Sequence, residues 1–253
     1  MQEASKLLSD VVDGASTLRE VSGNCDRHGP TTALLHRSRG PQEWFCGECA
    51  LEARTAADEE TWRQQRHQTL VRAATLQERY EGEHFEATTA AQKLARATAR
   101  AFRDGLTRER DWAVLTLVGK NGTGKTLLAH ELAKSLIDKL LMTVRYCTAQ
   151  QMITEIQAAY SIDGKSEEGE LLRFAQYDLL ILDEIDAIRS SENAILLLTE
   201  VVNRRYNSRR PVVAITNQPL EKLAKFVGDR VHSRLQENAF VCVHDWADHR
   251  VSA

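Results

Sequence analysis

An α/β fold is predicted: a parallel sheet flanked by helices, preceded by a small Cys/His domain and a helical linker. Three observations carry this reading. From Trp112 onward, short apolar runs alternate with amphipathic stretches, the signature of strands joined by crossover helices. A glycine-rich turn at 119–126 joins the first apolar run to the stretch after it. Near the start, two close pairs, Cys25/His28 and Cys46/Cys49, lie in a segment punctuated by Gly29, Pro30, Gly40 and Pro41.

In chain order, Leu7, Leu8, Val11 and Val12 can line a short amphipathic helix. Residues 25–49 read as irregular. From Leu51 to about Tyr80 the chain is rich in Ala, Glu, Arg and Gln, with neither Pro nor Gly. This predicts a long helix with Trp62, Leu70, Ala73 and Leu76 as a partial apolar stripe. "YEGEHFEATT" reads as a linker, and Leu94, Ala97, Ala101 and Phe102 mark another helix. "WAVLTLVG", "TVRYC", "YDLLILDE", "PVVAITN" and "AFVCVHD" then read as five strands, with helices between them. The boundary expected from composition divides residues 1–82, a partner-binding region, from 83–253, the α/β domain.

Hydrophobic residues make up 42% of the chain and the net charge is −3. Contact with nucleic acid therefore needs a local basic patch rather than a global field. No apolar run is long enough to span a membrane, and the N-terminal residues lack the pattern of a secretion signal. The five cysteines hold one tight pair, "CGEC", while Cys147 and Cys242 stand alone in strand-like runs. That usage suits a reducing cytoplasm and a metal site better than a disulfide framework.

"GKNGTGKT" fits G-x-x-x-x-G-K-[ST] at every fixed position, between a strand and a helix. Gly119, Gly122 and Gly124 let the backbone curl, so that the N–H groups from Gly119 through Lys120, Asn121, Gly122, Thr123 and Gly124 to Leu127 can face phosphates. The helix that follows adds its positive N-terminal end. Lys125 is the candidate for the β- and γ-phosphates of ATP, and the Thr126 hydroxyl for Mg2+. In "LLILDEID", four apolar residues carry Asp183 and Glu184 to the end of a buried strand. Asp183 is placed to hold magnesium and Glu184 to orient an attacking water, which favours hydrolysis over transfer to a second substrate. Asn217 closes a strand and can contact the γ-phosphate or the water; a turn residue before Pro219 is the other reading.

The order "GKNGTGKT", "LLILDEID", "ITNQP", "VGDRVHSRL" and "DWADHR" resembles the DnaC-type replicative helicase loaders, initiator-related AAA+ ATPases, from about Phe85 to the C-terminus. Transposition helper ATPases of the IstB type share much of this core. The resemblance implies a P-loop AAA+ ATPase that self-associates through shared nucleotide sites. It makes Arg234 the candidate finger that reaches a neighbour's γ-phosphate, with Arg230 beside it at the interface. A surface helix pairing its arginines with nearby carboxylates is the alternative. Arg250 resembles the second sensor, a cis-acting arginine. Tyr160 falls near where the loaders carry an aromatic used on single-stranded DNA; packing into the core is the rival reading. The run Arg204, Arg205, Arg209, Arg210 can contact phosphates or simply decorate a helix end.

Cys25, His28, Cys46 and Cys49 form C-x2-H and C-x2-C pairs, suited to a tetrahedral, structural Zn2+ site. His36 is an alternative ligand. By resemblance to DnaI-type loaders, this region would grip a DnaB-type replicative helicase. The implied function is ATP-dependent loading of that helicase onto single-stranded DNA. The alternatives are an IstB-type transposition helper, a P-loop small-molecule kinase, and a zinc-dependent DNA-binding protein whose ATP site is only a switch.

Overall fold

The computed structural model describes residues 18–36, 44–106, 112–162, 164–188 and 191–248. The amphipathic stretch at Leu7–Val12 and the candidate sensor Arg250 lie outside them. The chain forms two compact units, Met1–Arg66 and His67–Ala253. The seam falls inside a helix, whereas composition draws its boundary after residue 82.

In the first unit, β1 (Leu18–Cys25) and β2 (Gly29–His36) form an antiparallel hairpin closed by the pair Cys25 and Gly29. Gly29 takes φ +68°, a left-handed turn conformation that costs glycine little. Strand β3 (Trp44–Cys46) adds to β2 with Ala33 opposite Cys46. The stretch expected to be irregular therefore holds two strands, because a hairpin is what brings the two ligand pairs together. Helix α1 (Gly47–Ala73) follows directly.

The expected apolar stripe on α1 does not form. Trp62 is 62% exposed, Ala73 is exposed and Leu76 lies past the helix end, while Leu70 is buried. Helix propensity, from Ala, Glu, Arg and Gln, is enough to build the exposed part.

In the second unit, five parallel strands take the order β5-β6-β7-β4-β8: Val144–Thr148, Leu179–Asp183, Val212–Thr216, Val114–Gly119 and Ala239–His244. Their residues alternate between two buried layers. On β6, Leu179 and Ile181 join one layer with α2 (Ala90–Gly105) and α3 (Lys125–Leu140). Leu180 and Leu182 join the other, with α4 (Ala149–Ala158), α5 (Glu167–Gln176), α6 (Glu192–Asn207), α7 (Leu220–Val227) and α8 (Asp229–Gln236). On α2 the buried face is Gln92, Ala95, Ala99 and Phe102; Leu94 is exposed.

Register brings the strand ends level. Thr148 pairs with Asp183, and Val118 with Thr216. Strand β4 lies between β7 and β8, so the chain leaves it in one direction for β5 and returns on its other side at β8. The crevice at such a switch point is where open α/β sheets bind ligands.

Candidate functional site

At that crevice lies a cleft of about 390 Å3. It is lined by residues 121–127, Asp183, Glu184 and Asn217, and by Tyr146 and Thr148. The three motifs read from the sequence therefore converge. Gly119 has φ +152° and packs so close to the His244 carbonyl that an added Cβ would sit 2.1 Å from it. Gly122 and Gly124 take φ +73° and +81°. A side chain at any of these three positions would clash or strain the backbone, so the loop favours glycine.

Lys125 is buried, and its Nζ donates to the Gly119 and Lys120 carbonyls at 2.7 Å each. The cation is thus held inside its own loop. The Asp183 carboxylate accepts from the Thr126 hydroxyl (2.9 Å), the Tyr146 hydroxyl (2.7 Å) and the Glu184 N–H (2.8 Å). Oxygen atoms from Thr126 and Asp183 lie side by side, a donor set that fits a hard divalent cation such as Mg2+. Glu184 is exposed to the cleft and takes φ +51°, a left-handed conformation uncommon for a side-chain-bearing residue.

The lysine-bearing loop is braced from two sides that sequence reasoning missed. His244 Nδ1 and Trp246 Nε1 both lie 3.1 Å from the Thr123 carbonyl, as donors from the end of β8 and just beyond it. Burial holds His244 down to about 4, so its neutral form is favoured. On the other side, the chain after α1 is captured by the β5 edge. The Tyr146 N–H donates to the Ala74 carbonyl (2.9 Å), and the Thr75 hydroxyl to the Tyr146 carbonyl (2.5 Å). That capture ends the helix at Ala73, where propensity alone continues it to Tyr80. Gln77, Arg79 and Tyr80 then line the cleft. The Gln77 N–H donates to His130 Nε2 (2.9 Å), and His130 Nδ1 donates to the Thr126 carbonyl (2.8 Å). Burial lowers the His130 pKa, in keeping with a neutral ring. Burial, then Asp183, raises that of Tyr146, which stays a donor. Phe85, expected in a linker, packs its ring against Gly124 and is 2% exposed. The only local signals for these partners are single aromatics in short runs.

Arg230 and Arg234 are not among the residues lining the cleft. Arg230 is exposed, while the Arg234 guanidinium lies 5.2 Å from the Tyr206 ring centroid and donates to the Arg230 carbonyl (3.0 Å). Tyr160 is 81% exposed, which removes the core-packing alternative. In the basic run at the end of α6, three arginines are engaged within the chain, against the phosphate-contact reading. Arg205 is fully buried, and its guanidinium donates to the carbonyls of Phe174, Ala175, Tyr177 and Pro211 at 2.7–3.2 Å. Arg204 forks onto Glu168 (2.7 and 2.8 Å) and pairs with Glu200. Arg210 pairs with Asp178. These charges are committed to the fold.

In the first unit, Cys25, His28, Cys46 and Cys49 bring one ligand atom each within 4.8 Å of one another. The Sγ of Cys25 lies 3.6 Å from that of Cys49, and His28 Nδ1 is 3.3–3.7 Å from the three sulfurs. A tetrahedral zinc ion sets ligand–ligand edges of about 3.5–3.8 Å, given Zn–S and Zn–N lengths of ~2.3 and ~2.0 Å. The four residues fit it. His28 Nε2 meets Glu52 Oε1 at 3.0 Å, the carboxylate partner that orients a metal-binding imidazole. Backbone N–H groups of Arg27 and His28 lower the Cys25 thiol to about 6, favouring thiolate.

The chain is 30% identical over 136 residues to the replicative helicase loader DnaC of Escherichia coli K12, covering 52% of this chain and 54% of that protein. It thus spans about half the length of the curated relatives it matches. Among solved structures, the DnaC helicase loader superposes with a TM-score of 0.60 at 23% identity, over 66% of this chain and 99% of that one. Domain III of the Thermotoga maritima replication initiation protein DnaA gives 0.57 at 20%, over 67% and 68%. These two likenesses show the fold, a parallel five-stranded sheet with flanking helices. The model of the IstB-like ATP binding proteins matches residues 46–235, well over half of the sequence and all of the cleft just described. The chain belongs to that family.

Proposed function

We propose that this protein is an ATPase that loads a DnaB-type replicative helicase onto single-stranded DNA during DNA replication. The observation that carries the reading is its identity to the Escherichia coli DnaC loader, joined to a cleft that unites the three phosphate-facing motifs. In this reading ATP lies along residues 119–127. Lys125 leaves its loop carbonyls for the β- and γ-phosphates, which compete for it as full anions. Thr126 and Asp183 would hold Mg2+, which would offset charge on the phosphates. Glu184 orients the attacking water, and Asn217 contacts it or the γ-phosphate.

Arg234, with Arg230 beside it, serves a neighbouring subunit, so that hydrolysis depends on self-assembly. Their absence from their own chain's cleft supports this. Arg250 would contact the nucleotide in cis. Tyr160, fully presented to solvent, stacks on unpaired bases. The first unit, with zinc on the four Cys/His ligands, grips the helicase, and the second acts as the motor in the cytoplasm, with residues 74–82 of the expected 1–82 region serving the cleft.

Size-exclusion of the full chain mixed with a DnaB-type hexamer and ATP tests the reading. A joint complex that dissolves on hydrolysis is expected; two separate peaks overturn it. Arg234→Ala is expected to keep ATP binding and lose turnover, and normal turnover would sink the trans assignment. A second reading, an IstB-type transposition helper, is favoured by the description of the family. Tight duplex binding without helicase affinity would select it.

A further inference from the structure

We infer that the flank of α2 beside α3 is a contact surface for the phosphate backbone of nucleic acid. This deepens the proposed reading by naming where the DNA backbone would run. Lys93, Arg96, Arg100 and Arg103 follow one another at steps of three, four and three residues, so they share one helical face. At a rise of 1.5 Å per residue the row is about 15 Å long, room for several phosphates at ~3.4 Å per nucleotide along one B-form strand. Asp104 is the only acidic residue in α2.

The cations of this row are available in a way those of α6 are not. Lys93 and Arg100 are exposed, and among the described residues neither side chain has a hydrogen-bond or ion-pair partner. Arg96 has a buried Nε with no acceptor, and its guanidinium lies 5.9 Å from the Phe85 ring centroid. Arg103 spends part of its fork on Asp104 (2.7 Å) and Ser135 (3.2 Å). Between α2 and α3 the row borders a hollow of about 100 Å3, lined by Arg96, Arg100, Arg103, Ser135 and Glu131, over Leu128. Glu131 is its one carboxylate, and Oε2 is engaged by the Phe85 N–H at 3.2 Å.

Three arginine forks and a hydroxyl around a small hollow suit a phosphate group. The hollow is too small for a free nucleotide, and the row continues beyond it to Lys93, which favours a linear polyanion. With a net charge of −3, attraction to nucleic acid must come from such a local row. Phe85 links the row to the phosphate loop: its ring lies under Arg96 and against Gly124.

The test is fluorescence anisotropy of the full chain with labelled oligothymidine of about 20 nucleotides, titrated with salt. The variants are Lys93→Glu/Arg100→Glu and, as a milder pair, Lys93→Ala/Arg100→Ala. The reversal pair is expected to lose at least about tenfold in affinity. The alanine pair is expected to flatten the log–log salt slope by about 1.4, at ~0.7 per phosphate contact on a single strand. Binding of a fluorescent ATP analogue and the melting temperature, read on the same samples, are expected to stay at wild-type values. A duplex arm separates single-stranded from double-stranded backbone as the source of the phosphates. Wild-type affinity and slope in both pairs would overturn the α2 assignment and leave the loader reading standing. A wild-type chain that binds no oligonucleotide would overturn both. Competition by polyglutamate as strong as by DNA would overturn the nucleic-acid assignment in favour of an acidic protein surface.

Discussion

The two units of this chain are held by different physics. In the second unit, five strands carry side chains into two buried layers, and Leu115, Leu180, Ile181, Val212 and Val213 have no exposed surface. Each such side chain contributes about 1.5–3 kcal/mol by leaving water. In the first unit, Cys46 is buried, and it is one of the four metal-ligand candidates. A hairpin and a helix start converge there on four ligand atoms. A metal held by four ligands staples a small domain.

The sharpest way to break the comparison is to challenge the four-ligand cluster with a chelator. Chelation of the full-length protein at neutral pH is expected to abolish amide protection across β1, β2 and β3. The second unit should melt within about 2 °C of its untreated value, because none of its layers depends on the ligands. Hydrogen exchange resolves the two regions. Protection that persists in the hairpin under chelation would mean the first unit holds by packing.

Next in size is Arg205→Met, which keeps the volume and deletes the donors. Four buried carbonyls lose their partner, so about 3–5 kcal/mol of the second unit's stability is expected to go. Denaturant titration reads it. The result bears on how far the second unit is a purely apolar construction, since this guanidinium staples α6 to the end of α5.

A smaller effect is set by pH. His244 has a folded pKa of about 4 against an ordinary 6.5, because burial disfavours the cation. The unfolded chain therefore binds the extra proton first. Its contribution is complete above pH ~6.5, and is lost as pH falls toward 4. The ceiling is about 3 kcal/mol, at 1.36 kcal/mol per pKa unit. His130 shifts in the same direction. His244→Gln should flatten the fall between pH 6.5 and 4, and an unchanged profile would remove the histidine brace from the account.

Smallest is Arg204→Ala. Its ion pairs with Glu168 and Glu200 are solvent-facing, so the melting temperature should move by less than about 2 °C. Neighbouring arginines on one helix would then differ several-fold in effect, because one is buried and the other is not.

Much of the cleft was legible because its chemistry is local. Gly119, Gly122, Gly124, Lys125 and Thr126 lie within eight residues, and Asp183 and Glu184 end one apolar run. The ligand pairs Cys25/His28 and Cys46/Cys49 were legible for the same reason. Residues 74–85 were not, because their role depends on partners far along the chain. Helix propensity runs through Ala73 without a break, and the backbone of Tyr146 ends it. Gln77 and Tyr80 reach the cleft only through that capture.

The sequence by itself determined the parallel sheet, the phosphate loop and the four-ligand cluster, since periodicity, glycine spacing and ligand spacing act over a few residues. Tertiary structure decided which charges are spent and which are free. Arg205 and Arg100 look alike in one dimension. One lies among the carbonyls of Phe174, Ala175, Tyr177 and Pro211, while the other faces water along α2. Desolvation depends on where every neighbouring element packs, and no short window of sequence holds that information.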